Sequence, residues 1–167
     1  MWCSLRVDAL QRVRTEQTTT CHCAALRPHI CYPDTPLVNF HRDLLLFIIG
    51  ATYTREQVHA ALGGSTQACI PTRNGLVLSI CVTPKLNPRA PRELLCGVGP
   101  IMAKTGAMLA ASSYRVPFFI KRRINEWEYM GLYRTVASYA SGSRFNEMVT
   151  GSGRSPDDVS IAIELQP

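Results

Sequence analysis

Turn and helix-breaking signals divide this chain into short apolar segments, and that division constrains its fold more than any other feature. The longest apolar run covers residues 44–51. A helix that spans a bilayer needs about 20 apolar residues, so this run predicts a buried strand or helix segment and no membrane partner. The 167 residues are enough for one domain with a real core and too few for two large ones.

The first forty residues differ from the rest of the chain. Three prolines and a run of three threonines interrupt any apolar period there. We therefore expect residues 1–43 to form a loosely ordered leader and residues 44–167 to form a single compact domain. The N-terminus lacks the apolar region of a signal peptide, since Arg6 and Asp8 interrupt it, so an intracellular location, nuclear or cytoplasmic, is expected.

Two short helices are predicted in the compact domain. Thr54 followed three residues later by Gln57 is a capping-box pattern, so a helix should begin after Thr54 and end at Gly63. Pro100 suits the first turn of a helix and predicts a second one over residues 100–111. Two turns of helix are not stable alone in water, so the first helix should pack on a sheet.

Strand signals accompany these helices. Asn74-Gly75 between two apolar segments, 68–72 and 76–82, is the strongest short-range signal for a hairpin. Further strands are predicted over 44–53, 94–98, 116–120, 127–133 and 159–165, whereas the polar stretch 141–155 is predicted to be a loop. Alternation should place Val159, Ile161, Ile163 and Leu165 on one buried face, and Trp127, Tyr129, Gly131 and Tyr133 on one face of their own strand. The fold class is therefore α+β, a small curved mixed β-sheet or a barrel-like (PUA-like) domain.

The positive charge is concentrated in residues 73–134. This stretch holds ten basic and three acidic residues, a net charge of +7, while the remainder holds eight basic and nine acidic residues, a net charge of −1. A basic stretch interleaved with aromatic residues predicts a surface that contacts phosphates and stacks on bases, although burial in the core is the competing interpretation for each aromatic residue. The predicted nucleic-acid contacts are Arg55, Arg73, Lys85, Lys121, Arg122, Arg123, Trp127, Tyr129, Tyr133 and Arg134.

Other chemistries have weaker support in the sequence. Cys21, Cys23, His29 and Cys31 supply soft ligands, but one residue between paired cysteines is tighter than structural zinc sites favour, so no metal is predicted. The histidines and cysteines lie outside any nucleophile motif, and neither glycine-rich segment matches a phosphate-binding fingerprint. We therefore predict no catalytic residue and no cofactor.

The order of motifs resembles a known family. The motifs are Tyr53-x-Arg55-Glu56-x-Val58, Leu62-Gly63-Gly64-Ser65, Pro71-x-x-Asn74-Gly75, Asn87-Pro88-x-Ala90-Pro91, Val116-Pro117-Phe118-Phe119-Ile120-Lys121-Arg122 and Trp127-Glu128-Tyr129-Met130-Gly131-x-Tyr133-Arg134. Together they resemble an uncharacterised domain family common in fungi. They are more distantly similar to the modified-DNA-recognition domain attached to HNH-type restriction endonucleases. That similarity implies a curved sheet that reads altered DNA, and because the chain has no HNH motif it does not imply cleavage.

The functional expectation is a non-catalytic module that binds nucleic acid, with DNA as the partner, and that reads modified DNA through a basic and aromatic surface. Two alternatives remain open. The basic surface could instead meet acidic proteins, or the chain could be an enzyme, a hydrolase or nuclease remnant, with an unrecognised site. Salt-dependent binding to DNA favours the nucleic-acid-binding module, salt-sensitive binding to acidic proteins alone favours the protein-interaction module, and turnover of a nucleotide substrate favours the enzyme.

Overall fold

A computed structural model describes residues 47–167, which form a mixed sheet with helices on both of its faces. The helices are α1 (Arg55–Leu62), α2 (Pro100–Ala110) and α3 (Ser143–Thr150). The strands are β1 (Thr52–Tyr53), β2 (Thr72–Arg73), β3 (Leu76–Val77), β4 (Ile80–Val82), β5 (Glu93–Gly97), β6 (Val116–Arg123), β7 (Glu126–Tyr139) and β8 (Val159–Gln166), with a short 3-10 helix at Pro156–Asp158. The predicted leader, residues 1–43, lies outside the described residues.

The main sheet has the strand order β4-β6-β7-β8-β5, and β1 pairs with the start of β7. Only β4 and β6 are parallel, so the sheet is mixed. β7 has fourteen residues; its first half pairs with β6 and its second half with β8. The predicted α+β class with a small mixed sheet is confirmed. The sheet is open, so the barrel-like alternative is not the one adopted.

Local signals account for α1 and for the small hairpin. The Thr54 hydroxyl accepts the N–H of Gln57 at 3.1 Å, and the Gln57 side chain accepts the N–H of Thr54 at 2.8 Å, which is the predicted capping box. Asn74 and Gly75 have φ values of 52° and 79° and connect β2 to β3, as predicted. These strands are shorter than expected, because the chain leaves the hairpin after Val77 and enters the main sheet as β4.

Each face of the sheet has its own core. On one face, Leu109 of α2 packs with residues of the central strands such as Phe118 and Ile163. The opposite face holds two separate clusters. One contains Val58 and Leu62 of α1, and the other contains three residues of α3, Phe145, Met148 and Val149. Both faces of the sheet are therefore covered, and strand β4 and the first five residues of β6 are buried on both sides.

The sheet has four shifts of register, and two of them are single-residue bulges that overturn a predicted arrangement of side chains. Phe118 pairs with Gly131 and Phe119 with Tyr129, so Met130 is an extra residue in β7. Tyr133 consequently lies on the α2 face, whereas Trp127 and Tyr129 lie on the α1 face. The prediction that these aromatic residues share one face is wrong, since an inserted residue shifts an alternation of period two.

The second bulge lies at Ser160 in β8. Cys96 pairs with Ile161 and Gly97 with Val159, so Ser160 has no partner residue, and its hydroxyl donates to the carbonyl of Gly97 at 2.9 Å. Val159 therefore packs with α3, while Ile161, Ile163 and Leu165 pack on the α2 face. The strand itself is confirmed, but the prediction that Val159 shares their face is wrong.

Helix α3 corrects a further prediction. Residues 141–155 were expected to form a loop, because the stretch is polar and contains glycine. Phe145, Met148 and Val149 nevertheless recur at helical spacing and are buried against Leu95 and Ala162. That spacing is the signal that would have predicted the helix.

The Asn87-Pro88 motif protects the edge of the sheet. β5 is an edge strand, and unpaired N–H groups at such an edge invite pairing with other chains. The Asn87 side chain is buried, and its carbonyl oxygen accepts the N–H of Leu95 at 2.8 Å. The proline-rich loop thus satisfies a donor on the side of β5 that faces no other strand of residues 47–167. None of the helices between residues 47 and 167 has the length and apolar character to span a membrane.

Candidate nucleic-acid interface

Most of the basic residues between positions 73 and 134 lie at the surface and form no ion pair with a described carboxylate. Of the ten in residues 73–134, Arg89 forms an ion pair with Glu93 at 3.3 Å, and Arg122 forms one with Glu128. The other eight make no ion pair within residues 47–167. They are Arg73, Lys85, Arg92, Lys104, Arg115, Lys121, Arg123 and Arg134, of which Lys121 is half-buried and the others are exposed.

These cations do not form one continuous patch. β6 has eight residues, so its two ends lie about 23 Å apart. Arg123 lies at one end, where it is in register with Glu126. At the other end Val116 pairs with Tyr133, which makes Arg115 and Arg134 neighbours on adjacent strands. The structure therefore separates the basic residues of this ladder into two groups.

The hairpin that joins β6 to β7 carries the first group. The Lys121 ammonium lies 5.8 Å from the centre of the Trp127 ring, within cation–π range. Arg122 is engaged by Glu128, which neutralises one of the three consecutive basic residues. Arg123 is exposed, and its neighbour Ile124 is 91% exposed. The Lys121-Arg122-Arg123 run thus presents less net charge than its sequence indicates.

Arg55 holds the interior together and is not an interface residue. Its side chain is only 8% exposed and donates to the carbonyls of Thr66 at 2.8 Å, Ser65 at 3.1 Å and Ala68 at 2.7 Å. The guanidinium carbon lies 5.0 Å from the centre of the Trp127 ring. These contacts leave no free face for a phosphate, which corrects the predicted role of Arg55.

The three predicted stacking residues are also part of the core. Trp127, Tyr129 and Tyr133 are 9%, 4% and 8% exposed. The Tyr129 ring centre lies 5.1 Å from that of Phe119, and the Tyr133 ring centre lies 5.4 Å from that of Phe118. A ring that is packed on its neighbours in this way presents no face on which a base can stack. The competing interpretation, burial in the core, is the one that fits.

An ion-pair network on α3 was not anticipated from the sequence. Glu93 and Glu164 are paired directly across β5 and β8, and Arg144 contacts both carboxylates, Glu93 at 3.5 Å. Hydrogen bonds and charge from Glu147 and Glu164 raise the pKa of Arg144 further above its ordinary value. An open cavity of about 340 Å³ adjoins this network and is also lined by Arg92. Arg144 contacts both carboxylates and Arg89 also pairs with Glu93, so two cations accompany the two like charges that face each other across this strand pair.

The buried cysteines are poor nucleophiles. Burial raises the pKa of Cys81 to about 11 and that of Cys96 to about 12, so both remain protonated thiols near neutral pH. In the part of the chain that the structure describes, no group of three or more histidine, cysteine or acidic side chains could hold a metal ion. The cysteine and histidine cluster of residues 21–31 lies outside that part.

A family model described as a domain of unknown function, DUF6697, matches residues 52–150. The chain belongs to this family. The DUF6697 region runs from β1 to the end of α3 and contains every residue predicted to contact nucleic acid. No curated protein and no solved structure matches the chain.

Proposed function

We propose that this DUF6697 protein binds nucleic acid, with DNA as its partner, through contacts to phosphates. The observation that carries the proposal is the set of eight basic side chains, from Arg73 to Arg134, that have no carboxylate partner within residues 47–167. Lysine and arginine side chains that neutralise phosphates release counterions, and this release supplies most of the affinity in sequence-independent binding. Such a partner also implies an intracellular location.

The mode of binding differs from the one expected from the sequence. Because Trp127, Tyr129 and Tyr133 are buried, base stacking by these rings is not part of the proposal. Recognition of a modified base then has only one support, the similarity of the motif order to modified-DNA-recognition domains of restriction endonucleases. Phosphate contacts are independent of base identity, so binding should be similar for many sequences.

The test is a salt titration of the full chain against duplex and single-stranded DNA, with and without modified cytosine. The logarithm of the association constant should fall linearly with the logarithm of salt concentration, with a slope of about −0.9 for each duplex phosphate neutralised. Replacing both Arg115 and Arg134 by glutamine should make the slope shallower by up to about two.

A matched control is Arg122→Gln with Glu128→Gln, which removes an ion pair without changing the net charge. It should leave the slope unchanged. Absence of binding at about 50 mM salt would contradict the proposal, because the electrostatic contribution is strong at low salt. Salt-sensitive binding to acidic proteins alone would favour a protein-interaction module. Equal affinity for modified and unmodified DNA would remove the modified-base interpretation.

A further inference from the structure

Two of the three cysteines between residues 47 and 167, Cys69 and Cys81, lie on adjacent stretches of backbone. The N–H of Cys81, in β4, donates to the carbonyl of Cys69 at 2.7 Å. The N–Cα, Cα–C and C=O bonds add at most about 4.2 Å to that distance, so the two Cα atoms lie within about 7 Å of each other. Disulfides usually join Cα atoms about 4.4–6.8 Å apart, so the backbone brings this pair to bonding range.

The segment that carries Cys69 is held against β4 on both sides of the cysteine. The Arg55 guanidinium donates to the carbonyl of Ala68 at 2.7 Å, and the N–H of Leu78 donates to the carbonyl of Pro71 at 2.9 Å. β4 is an edge strand of the main sheet, and this segment lies along its outer side. Two groups that the fold keeps side by side react with each other at a high effective concentration.

The two thiols differ in their access to solvent. Cys69 is exposed and can meet an oxidant, whereas Cys81 is only 1% exposed and packs with Val58 and Phe119. Burial raises the pKa of Cys81 to about 11, the Arg55 guanidinium acts against that rise, and a charge on Cys69 adds to it. The Cys81 sulfur is therefore close enough to Cys69 and to a buried cation to respond to the charge of each.

We propose that Cys69 and Cys81 are a redox-modification site, at which a low-molecular-weight disulfide such as oxidised glutathione is exchanged for a Cys69–Cys81 disulfide. The exposed Cys69 thiolate attacks one sulfur of the oxidant, whose S–S bond breaks, and one thiol leaves. The Cys81 thiolate then attacks the Cys69 sulfur and displaces the second thiol. Two electrons and two protons pass from the protein thiols to the two released thiols. This inference does not depend on nucleic-acid binding.

Cys96 is a less suitable partner for Cys69. It lies in β5, at the other edge of the main sheet, and packs on the α2 face, where Gly106 and Ile161 lie against its side chain. A charge on Cys69 also raises its pKa, after the larger effect of burial. No backbone hydrogen bond joins Cys96 to Cys69, in contrast to Cys81. The geometry therefore favours Cys81.

The experiment uses the full chain, first reduced and then incubated with oxidised glutathione. Remaining thiols are blocked with iodoacetamide, and tryptic peptides are analysed by mass spectrometry without reduction. Trypsin cleaves after Arg55, Arg73 and Lys85, so the two cysteines fall on different peptides, 56–73 and 74–85. A species with the summed mass of these peptides less two hydrogen atoms should appear, and dithiothreitol should remove it. Incubation in urea should abolish the preference of Cys69 for Cys81, because the folded contact is then lost.

The melting temperature gives an independent measurement. The disulfide would close a loop of 13 residues, from 69 to 81. Such a loop restricts the unfolded chain, so oxidation should raise the melting temperature by roughly 5–15 °C. Cys69→Ser changes an exposed side chain and should leave the melting temperature of the reduced protein unchanged. It should abolish both the linked peptides and the rise on oxidation.

Two further variants assign the second step. Cys81→Ser should leave a glutathione adduct that persists on Cys69, because nothing then displaces the second thiol. Cys96→Ser is the matched control, since it removes the other described buried thiol, and it should keep the link between peptides 56–73 and 74–85.

Several results would overturn the proposal. A lasting glutathione adduct on Cys69 of the wild type would mean that Cys81 does not reach it. A link from Cys69 to Cys96, or to a cysteine before residue 47, would assign another partner. Full blocking of both cysteines by iodoacetamide after oxidation would show that the pair does not react. None of these results bears on nucleic-acid binding, which the salt titration tests separately.

Discussion

Gly106 of α2 lies so close to Cys96 of β5 that a side chain at position 106 cannot be accommodated without movement. A Cβ atom built on Gly106 would come within 2.8 Å of the Cys96 sulfur and 3.0 Å of a methyl group of Ile161. Glycine weakens a helix, yet here it permits the helix to approach the sheet. The contact explains why a glycine occupies the middle of an otherwise apolar helix.

The first prediction concerns this contact. Gly106→Ala should destabilise the protein by about 1–3 kcal/mol, the usual cost of overpacking, despite the better helix propensity of alanine. Urea unfolding followed by circular dichroism measures the change. Gly99→Ala is the control, because nothing lies within 4 Å of a Cβ there, and its effect should be smaller. Equal effects of the two substitutions would show that helix packing does not require the glycine.

Arg55 provides the second prediction. Arg55→Met keeps the length of the side chain but removes the donors to three loop carbonyls, those of Ser65, Thr66 and Ala68. The expected loss is about 2–4 kcal/mol of unfolding free energy, because three charge-assisted hydrogen bonds of a buried side chain are lost together. Arg73→Met, at an exposed position, should change stability by less than about 0.5 kcal/mol. The interior role assigned to Arg55 predicts this difference, and similar values for the two variants would contradict it.

The third prediction is a loss of stability at alkaline pH. The pKa of buried Cys81 is raised to about 11 and that of Cys96 to about 12, whereas an unfolded cysteine titrates near 8.5. Above about pH 8.5 the unfolded chain therefore holds fewer protons than the folded protein. The stability is fully present below that pH and should fall by about 1.4 kcal/mol per pH unit for each thiol as pH rises toward 11.

Urea unfolding at several pH values between 7.5 and 10.5 measures this slope. Cys81→Ala should be less stable at neutral pH and should lose stability less steeply with rising pH. Val149→Ala, a deletion at an equally buried position without a titratable group, should keep the wild-type slope. Parallel pH profiles for Cys81→Ala and the wild type would show that the thiol is not responsible.

The fourth prediction addresses the pairing of Glu93 with Glu164. Arg144→Met should lower the melting temperature, because it leaves two carboxylates directly opposite each other on adjacent strands. Adding Glu164→Gln should recover part of the loss, since only one charge then remains at the pair. Thermal melts of the single and double variants test this, and no recovery would mean that Arg144 acts through packing rather than charge.

Several elements were predictable because neighbours in the chain decide them. The capping box of Thr54 and the turn at Asn74-Gly75 form through contacts within a few residues, so their local sequences were sufficient. The α+β class followed in the same way from short strands between turn signals. Helix α3 is less evident in the sequence, because the helical period of Phe145, Met148 and Val149 lies within polar and glycine residues that are typical of a loop.

The sequence by itself determined the fold class, helices α1 and α2, the excess of positive charge and the apolar residues available for a core. Only the tertiary structure decided on which face each side chain lies, because bulges at Met130 and Ser160 depend on pairing with distant strands. It also decided which cations remain unpaired, since Arg122 meets Glu128 only across the β6–β7 ladder. Packing between distant elements likewise buries Trp127, Tyr129 and Tyr133 in the core, where the sequence alone predicted an interface. Burial depends on which helices and strands pack together, and a local sequence pattern does not specify the element against which a side chain packs.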